Sequence, residues 1–249
     1  MSTNKPDSPP TEVINVLLTG FGTFRDAPET NASWEIVKRL PSALSDFHSH
    51  ATRIRIFVPS ESIPVVFEEV DKLYPTLYDG HAPIHIVLHL GVAQGRSYYT
   101  LETIAHRDGY TTPDVTHKLP QEKSQPAFWK SSPAVLHIQV PVQKVMERWQ
   151  ADAKEFDLRV STDAGKYLCE YIFFSSLAYL NAKLPDESST PKHGIVAFLH
   201  VPSHHDEKSL TGGVKVTAAL IRALVESRHS HDNNSITIAS HTQPNILPS

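Results

Sequence analysis

A cysteine, a histidine and a glutamate can together supply a nucleophile, a general base and the carboxylate that orients the base. Cys169 is the single cysteine of the 249-residue chain. It stands in Ser161-Thr-Asp-Ala-Gly-Lys-Tyr-Leu-Cys169-Glu-Tyr-Ile-Phe-Phe, where a polar run with a glycine gives way to an aromatic run suited to a buried helix face. The pattern places the thiol at the start of a helix, where N–H groups without intrahelical partners favour thiolate. A lone cysteine is also the common form of a small buried hydrophobe, so its partners decide. His200, in Phe198-Leu-His200-Val-Pro202, and Glu102, in Ser97-Tyr-Tyr-Thr-Leu-Glu102, are the candidates. The imidazole takes the thiol proton, and the carboxylate holds the ring by its far nitrogen. The spacings allow no local contact. A fold must bring the three together.

The elements that would do so alternate along the chain. Val13-Ile-Asn-Val-Leu-Leu18 reads as an apolar strand ending in the glycine turn Thr19-Gly-Phe-Gly22. Asn31-Ala-Ser-Trp34 opens a helix with Ser33 as its cap, and Pro41 stops it. Arg53–Val58 alternates as a half-buried strand, Ser62–Tyr74 has helical spacing, and Ile84–Leu90 is a strand running into the loop Gly91–Gly95. Val142, Val145, Met146 and Trp149 mark another helix. Leu158–Val160 feeds the Cys169 helix, which extends to Leu180; Gly194–Leu199 is a buried strand closed by His200-Val-Pro202; Ser209–Ser227 is amphipathic. This order predicts the α/β class: a single-domain α/β/α sandwich with a mostly parallel central sheet. Glu102, Cys169 and His200 then fall on loops or helix starts at the carboxyl ends of strands, where open α/β sheets bind ligands. Residues 106–133 lose all periodicity and read as a long loop. The expected organisation is a disordered leader over 1–11, one domain over 12–229 and a C-terminal extension over 230–249.

Composition narrows the classes. Lys and Arg number 23 against 27 Asp and Glu, for a net charge of −4. With no basic stripe, nucleic acid is not an expected partner. One cysteine excludes an intrachain disulfide and a cysteine-rich zinc site, and it suits a reducing compartment. Met1–Pro10 has no apolar core of a signal peptide and no run approaches membrane-spanning length, so a cytoplasmic, non-membrane protein is expected. His204-His205 and the His81/His85/His89 series lack companion carboxylates or cysteines. They read as surface or strand-face residues, and no metal is expected.

The residues also carry a resemblance. Thr19-Gly-Phe-Gly-Thr-Phe24 with Asn31-Ala-Ser-Trp34 resembles the opening signature of the pyroglutamyl-peptidase I family, the pyrrolidone-carboxylate peptidases. Gly91–Glu102, Asp163-Ala-Gly-Lys-Tyr-Leu-Cys169 and Phe198-Leu-His200-Val-Pro202 match the remaining family blocks in order, over about Val13 to Glu226. Asn-Ala-Ser-Trp and Asp-Ala-Gly-x-Tyr-Leu-Cys look closer to the eukaryotic branch. The resemblance implies a cysteine exopeptidase that removes N-terminal 5-oxoproline from peptides through a thioester acyl-enzyme, with no metal or cofactor. It carries the nucleophile onto Cys169, the base onto His200 and the orienting carboxylate onto Glu102. The lactam pocket goes onto Phe21 and Phe24, with Val92, Tyr167 and Leu168 as further lining. Aromatic and aliphatic walls suit an uncharged ring.

The chain departs from the family in places. Thr23 and Arg25 stand where proline and glycine are common. Thr111-Thr112 occupies the place of an arginine found in the bacterial branch, with Arg107 the nearest substitute. Two other readings stay open. One is a catalytically silent family member that binds pyroglutamyl peptides. The other is a nucleoside-phosphorylase-like enzyme on the shared phosphorylase/hydrolase-like architecture, with Gly20–Gly22 cradling a phosphate, although that turn has no basic residue. Oligomeric state is left open.

Overall fold

A computed structural model describes residues 12–24, 30–45, 52–74, 77, 83–183 and 194–239. In chain order the elements are β1 (Glu12–Gly20), α1 (Ala32–Arg39), β2 (Ala43–Ser45), β3 (Thr52–Phe57), α2 (Phe67–Lys72), β4 (Ile86–Val92), β5 (Tyr99–Glu102), β6 (Ile104–His106), α3 (Ala127–Ser131), β7 (Val135–His137), α4 (Val142–Asp152), β8 (Leu158–Ser161), α5 (Leu168–Lys183), β9 (Ile195–Val201) and α6 (Glu207–Ala239). β1, β4 and β9 are apolar almost without alternation, because both faces of each are covered. They form the middle of a seven-stranded sheet ordered β2-β3-β1-β4-β9-β5-β8. β3, β1, β4 and β9 run parallel, and so do β5 and β8; β2 pairs antiparallel with β3, and β5 antiparallel with β9. α2, α3 and α5 pack together on one face, with α1, α4 and α6 on the other. This is the mostly parallel α/β sandwich expected, with β6–β7 as a separate small ribbon.

Local chemistry explains the boundaries that shift. The helix expected over 62–74 contracts to α2 because Pro64 drives Ile63 into extended backbone. Ile63 instead bridges to Phe21, with Gly22 N–H on Ile63 O at 2.9 Å and Ile63 N–H on Gly20 O at 2.9 Å. α1 is capped by Asn31, not Ser33: the Asn31 side chain accepts from Ser33 N. Ser33 lies inside the helix and accepts from Phe21 N at 3.1 Å.

Residues 106–133 are no free loop. Asp114 Oδ2 accepts from Phe67 N at the start of α2, and Ser124 Oγ donates to Asp71 Oδ2. The Trp129 ring lies 4.4 Å from that of Tyr171 and 4.5 Å from that of Phe174. Anchors placed singly leave no periodicity to read, and together they bury the outer side of α5. At the other end of the chain α6 continues to Ala239, beyond the helix expected over 209–227. The expected leader over 1–11 and the last ten positions of the extension, 240–249, lie outside the described residues, as do Arg25 and His81. No described helix is long and apolar enough to cross a membrane.

Candidate active site

Cys169 is the second residue of α5. Gly165, with φ of +81°, turns the chain from β8 towards that helix, its N–H bonded to Asp163 Oδ1 at 2.9 Å. The sulfur fits only because Gly91 has no side chain. A Cβ there would stand 2.8 Å from Cys169 Sγ and 2.7 Å from Phe198 Cζ. His200 sits directly across from Gly91 in the β4–β9 register, so histidine and cysteine line the same cavity.

Glu102 arrives from an unforeseen direction. It is the last residue of β5, and β5 runs antiparallel to β9, so Glu102 pairs with Phe198 while Thr100 pairs with His200. The carboxylate therefore lies beneath the histidine as its diagonal neighbour, not on a loop at the sheet's carboxyl edge. His200 Nδ1–H donates to Glu102 Oε1 at 2.7 Å. That proton on Nδ1 leaves Nε2 as the basic nitrogen.

The thiol differs from the sequence reading. Burial among protein atoms and the negative charge of Glu102 push it from 9.0 up to about 12. Its own backbone N–H and the Arg96 guanidinium pull the other way but do not win. Although the residue is partly exposed to the cavity, Cys169 rests as a thiol and depends on a base to ionise it. Arg96 itself had given no signal in the sequence. Its Nη1 lies 3.2 Å from Glu102 Oε1 and 3.4 Å from Thr100 Oγ1. Arg107, the nearest substitute for the family arginine, has its guanidinium on Ser132 O and Asp108 and is not among the described residues lining the cavity.

The cavity has a volume of about 210 Å³. That is below the roughly 300–1,000 Å³ typical of sites for drug-sized ligands. All five residues expected to line it do so: Phe21, Phe24, Val92, Tyr167 and Leu168. Asn31, Val65, Gln94 and Ala164 also line it and were not anticipated. Among the described lining residues none is Asp, Glu, Lys or Arg. Asn31 Nδ2 donates to Gly22 O at 2.9 Å, which fixes the turn carrying Phe21 and Phe24. A Cβ on Gly20 would meet the backbone of Ser33 and Trp34 at 2.9 Å, and one on Gly22 would meet Ser62 Oγ at 2.8 Å. These glycines serve close packing, which leaves the phosphate-cradle reading without geometric support. His89, expected on a surface or strand face, is a wholly buried strand residue. Among the described residues, no group of three or more His, Cys, Asp or Glu is placed to hold a metal ion.

The chain is similar to known proteins in sequence and in fold. The family model for pyroglutamyl peptidase matches residues 14–219. The chain is 29% identical over 188 residues to pyroglutamyl-peptidase 1 of Homo sapiens, covering 75% of this chain and 78% of that one. It is 31% identical over 195 residues to the pyrrolidone-carboxylate peptidase of Thermococcus kodakarensis, covering 78% and 84%. Among solved structures, a mutant pyrrolidone carboxyl peptidase from Pyrococcus furiosus superposes with a TM-score of 0.66 at 21% identity, over 86% of this chain and 99% of that one. The pyroglutamyl peptidase I of Bacillus amyloliquefaciens gives 0.65 at 24%, over 84% and 94%. The structures carry the fold, and the sequence match over most of the chain carries the lineage: this protein belongs to the pyroglutamyl peptidase family.

Proposed function

We propose that the protein hydrolyses the amide bond after an N-terminal pyroglutamate, with Cys169 as nucleophile, His200 as general base and Glu102 as the carboxylate that orients and charges-balances the ring. The supporting observation is a small cavity that has Cys169 and His200 in its lining and, among the described lining residues, no Asp, Glu, Lys or Arg. Pyroglutamate is a small lactam with no free ammonium, so it can enter such a cavity. An N-terminal Gln or Glu would bury an unpaired cation there.

The chemistry follows from the geometry. His200 Nε2 takes the Cys169 proton as Sγ bonds to the scissile carbonyl carbon, giving a tetrahedral oxyanion. The first-turn N–H groups of α5 have no intrahelical acceptors and are the available donors to that oxygen. Collapse breaks the C–N bond, and the imidazolium returns its proton to the leaving amine. Water, deprotonated by the same nitrogen, then cleaves the thioester to free pyroglutamate and the thiol. Glu102 stabilises the imidazolium in both halves through the 2.7 Å bond to Nδ1.

The test is turnover of a pyroglutamyl reporter amide by wild type and by Cys169→Ala, with a glutaminyl reporter alongside. Wild type should cleave only the pyroglutamyl amide, and the variant should lose several orders of magnitude in kcat. Comparable cleavage of both reporters, or chelator inhibition with Cys169 unmodified, would reject the assignment.

A further inference from the structure

Glu102 is wholly buried, and a buried carboxylate needs a cationic partner. His200 can supply one only when protonated, which is the form that cannot act as a base. Arg96 resolves the conflict. Its guanidinium reaches the same oxygen, Oε1, that His200 Nδ1 binds, at 3.2 Å against 2.7 Å. Oε2 is buried with no hydrogen-bond partner in the described structure, so the charge of the carboxylate is balanced wholly on the Oε1 side. Arginine keeps its charge at every working pH.

We propose that Arg96 is a positioning residue for this reaction: the permanent counter-ion of Glu102, which balances the buried carboxylate while the His200 ring serves as the uncharged base. The proposal rests on the reading of Cys169, His200 and Glu102 given above. Without Arg96 the uncompensated carboxylate would draw a proton onto the imidazole, and the thiol would meet the full negative charge of Glu102. Arg96 already lowers the Cys169 thiol, against the upward push from burial and Glu102, so both effects have the same sign. The other charges nearby are committed elsewhere. The Arg159 guanidinium stacks 3.7 Å from the centroid of Tyr98, the ring that lies 5.9 Å from Arg96, and it is paired with Asp157 at 2.7 Å. On α5, Glu170 binds His106 Nδ1 at 2.7 Å and Lys166 Nζ at 2.9 Å. The loop that carries Arg96 also carries the cavity residue Gln94, and Arg96 N–H is tied to Ala93 O at 3.3 Å, so the cation is set by the turn that frames the cavity.

The experiment compares the pH dependence of kcat/KM for wild type, R96M, R96K, E102Q and R96M/E102Q, with the pH dependence of Cys169 alkylation by iodoacetamide as a readout without turnover. R96M should move the acid limb, a property of the Cys169–His200 pair, upward by about one pH unit. At pH 6 this is a loss of roughly tenfold, recovering at higher pH. Alkylation at a given pH should slow several-fold, and R96K should restore both. In the E102Q background, removing Arg96 should move the limb and the alkylation much less than in wild type, because only the direct pull of the guanidinium on the thiol is then lost. Superimposable profiles for wild type and R96M would overturn the proposal, as would an R96M effect that persists undiminished in E102Q. If R96M does not fold, R96Q takes its place in both backgrounds, since its amide can still donate to the carboxylate while lacking the charge. Failure of wild type to cleave the reporter would count against the proposed activity, while the alkylation series would still judge Arg96.

Discussion

Two histidines face the same side of the sheet on adjacent strands, with opposite roles. His89 on β4 is paired in register with Phe198 of β9, and the Phe198 ring lies 4.8 Å from the ring of His200. His89 Nδ1 is 2.7 Å from Thr19 Oγ1, and its Nε2 is 2.7 Å from Ser176 Oγ, which is itself 2.6 Å from Tyr74 OH. Every partner is a neutral hydroxyl. Burial pulls this imidazole down to about 3, so it stays neutral. His200 has instead a carboxylate on one nitrogen and a cavity available to the other. Hydroxyls can satisfy an imidazole but bring no negative charge to offset the cost of burying an imidazolium, whereas a buried carboxylate does. The partner, more than the ring, makes one histidine structural and the other a base.

Exchanging the two roles gives the largest effect. His200→Ala should lower kcat/KM by roughly 10²–10⁴-fold, since the proton no longer has an acceptor. Its melting temperature should stay near that of wild type. Glu102→Gln should do less damage, because an amide oxygen can still hold the ring. His89→Ala should show the inverse pattern. It takes from the buried Thr19 hydroxyl its imidazole partner, leaves Ser176 Oγ with Tyr74 OH, and opens a void, for a loss of about 3 kcal/mol in stability. Activity per folded molecule should be largely kept. A His89 variant that folds normally but is inactive would break the comparison.

His89 also makes stability depend on pH, with a definite sign. In the unfolded chain the imidazole binds a proton below its ordinary value of 6.5, while in the folded protein it does so only near 3. Between those values protons favour the unfolded state. The His89 contribution is therefore fully present above about pH 6.5 and is lost as pH falls towards 3. Urea unfolding of wild type and His89→Gln from pH 7 to pH 4 measures it: the wild-type slope should be the steeper. Parallel slopes would mean that His89 is not held neutral.

The same contrast shows what could be read from the sequence. Central strands were legible because full burial on two faces writes itself as unbroken apolar runs, as in Ile195–Val201. Cys169, His200 and the lining Phe21 and Phe24 were legible because they sit in short contiguous blocks. The antiparallel course of β5 was not, since four residues carry no direction, and with it went the true position of Glu102 beneath His200. Arg96 and Gly91 escaped for a related reason. An arginine in a glycine loop and a glycine ending a strand become meaningful only when the Glu102 carboxylate or the Cys169 sulfur is seen beside them. The thiol was misread because the helix start is visible in sequence, while burial and a carboxylate from another strand are not.

Gly91 allows the next, smaller test. Gly91→Ala places a methyl where Sγ and the Phe198 ring now meet, at 2.8 and 2.7 Å, so the sulfur or the ring must shift. A displacement of about 1 Å at a reacting atom costs on the order of 10²-fold in rate. The loss should fall on kcat, since the Phe21–Phe24 side of the cavity is untouched. Unchanged kcat in a folded Gly91→Ala protein would show that the sulfur has room to spare.

The smallest effect separates the two phenylalanines of the turn. Phe21 is 4% exposed and bridges to Ile63 through the backbone, so its side chain belongs to the core as well as to the cavity wall. Phe24 is only partly buried, packed against the core from the cavity side. Phe21→Ala should lower stability by about 3–5 kcal/mol, as for other truncations of buried aromatic rings. Phe24→Ala should leave the melting temperature nearly unchanged and raise KM for the pyroglutamyl reporter roughly tenfold, equivalent to about 1.4 kcal/mol of lost ring contact. The rate of Cys169 alkylation by iodoacetamide should be the same in Phe24→Ala as in wild type, because that reagent needs the sulfur and not the lactam wall. A Phe24→Ala protein with unaltered KM would remove this ring from the binding surface, and one with slowed alkylation would make it part of the support for the thiol.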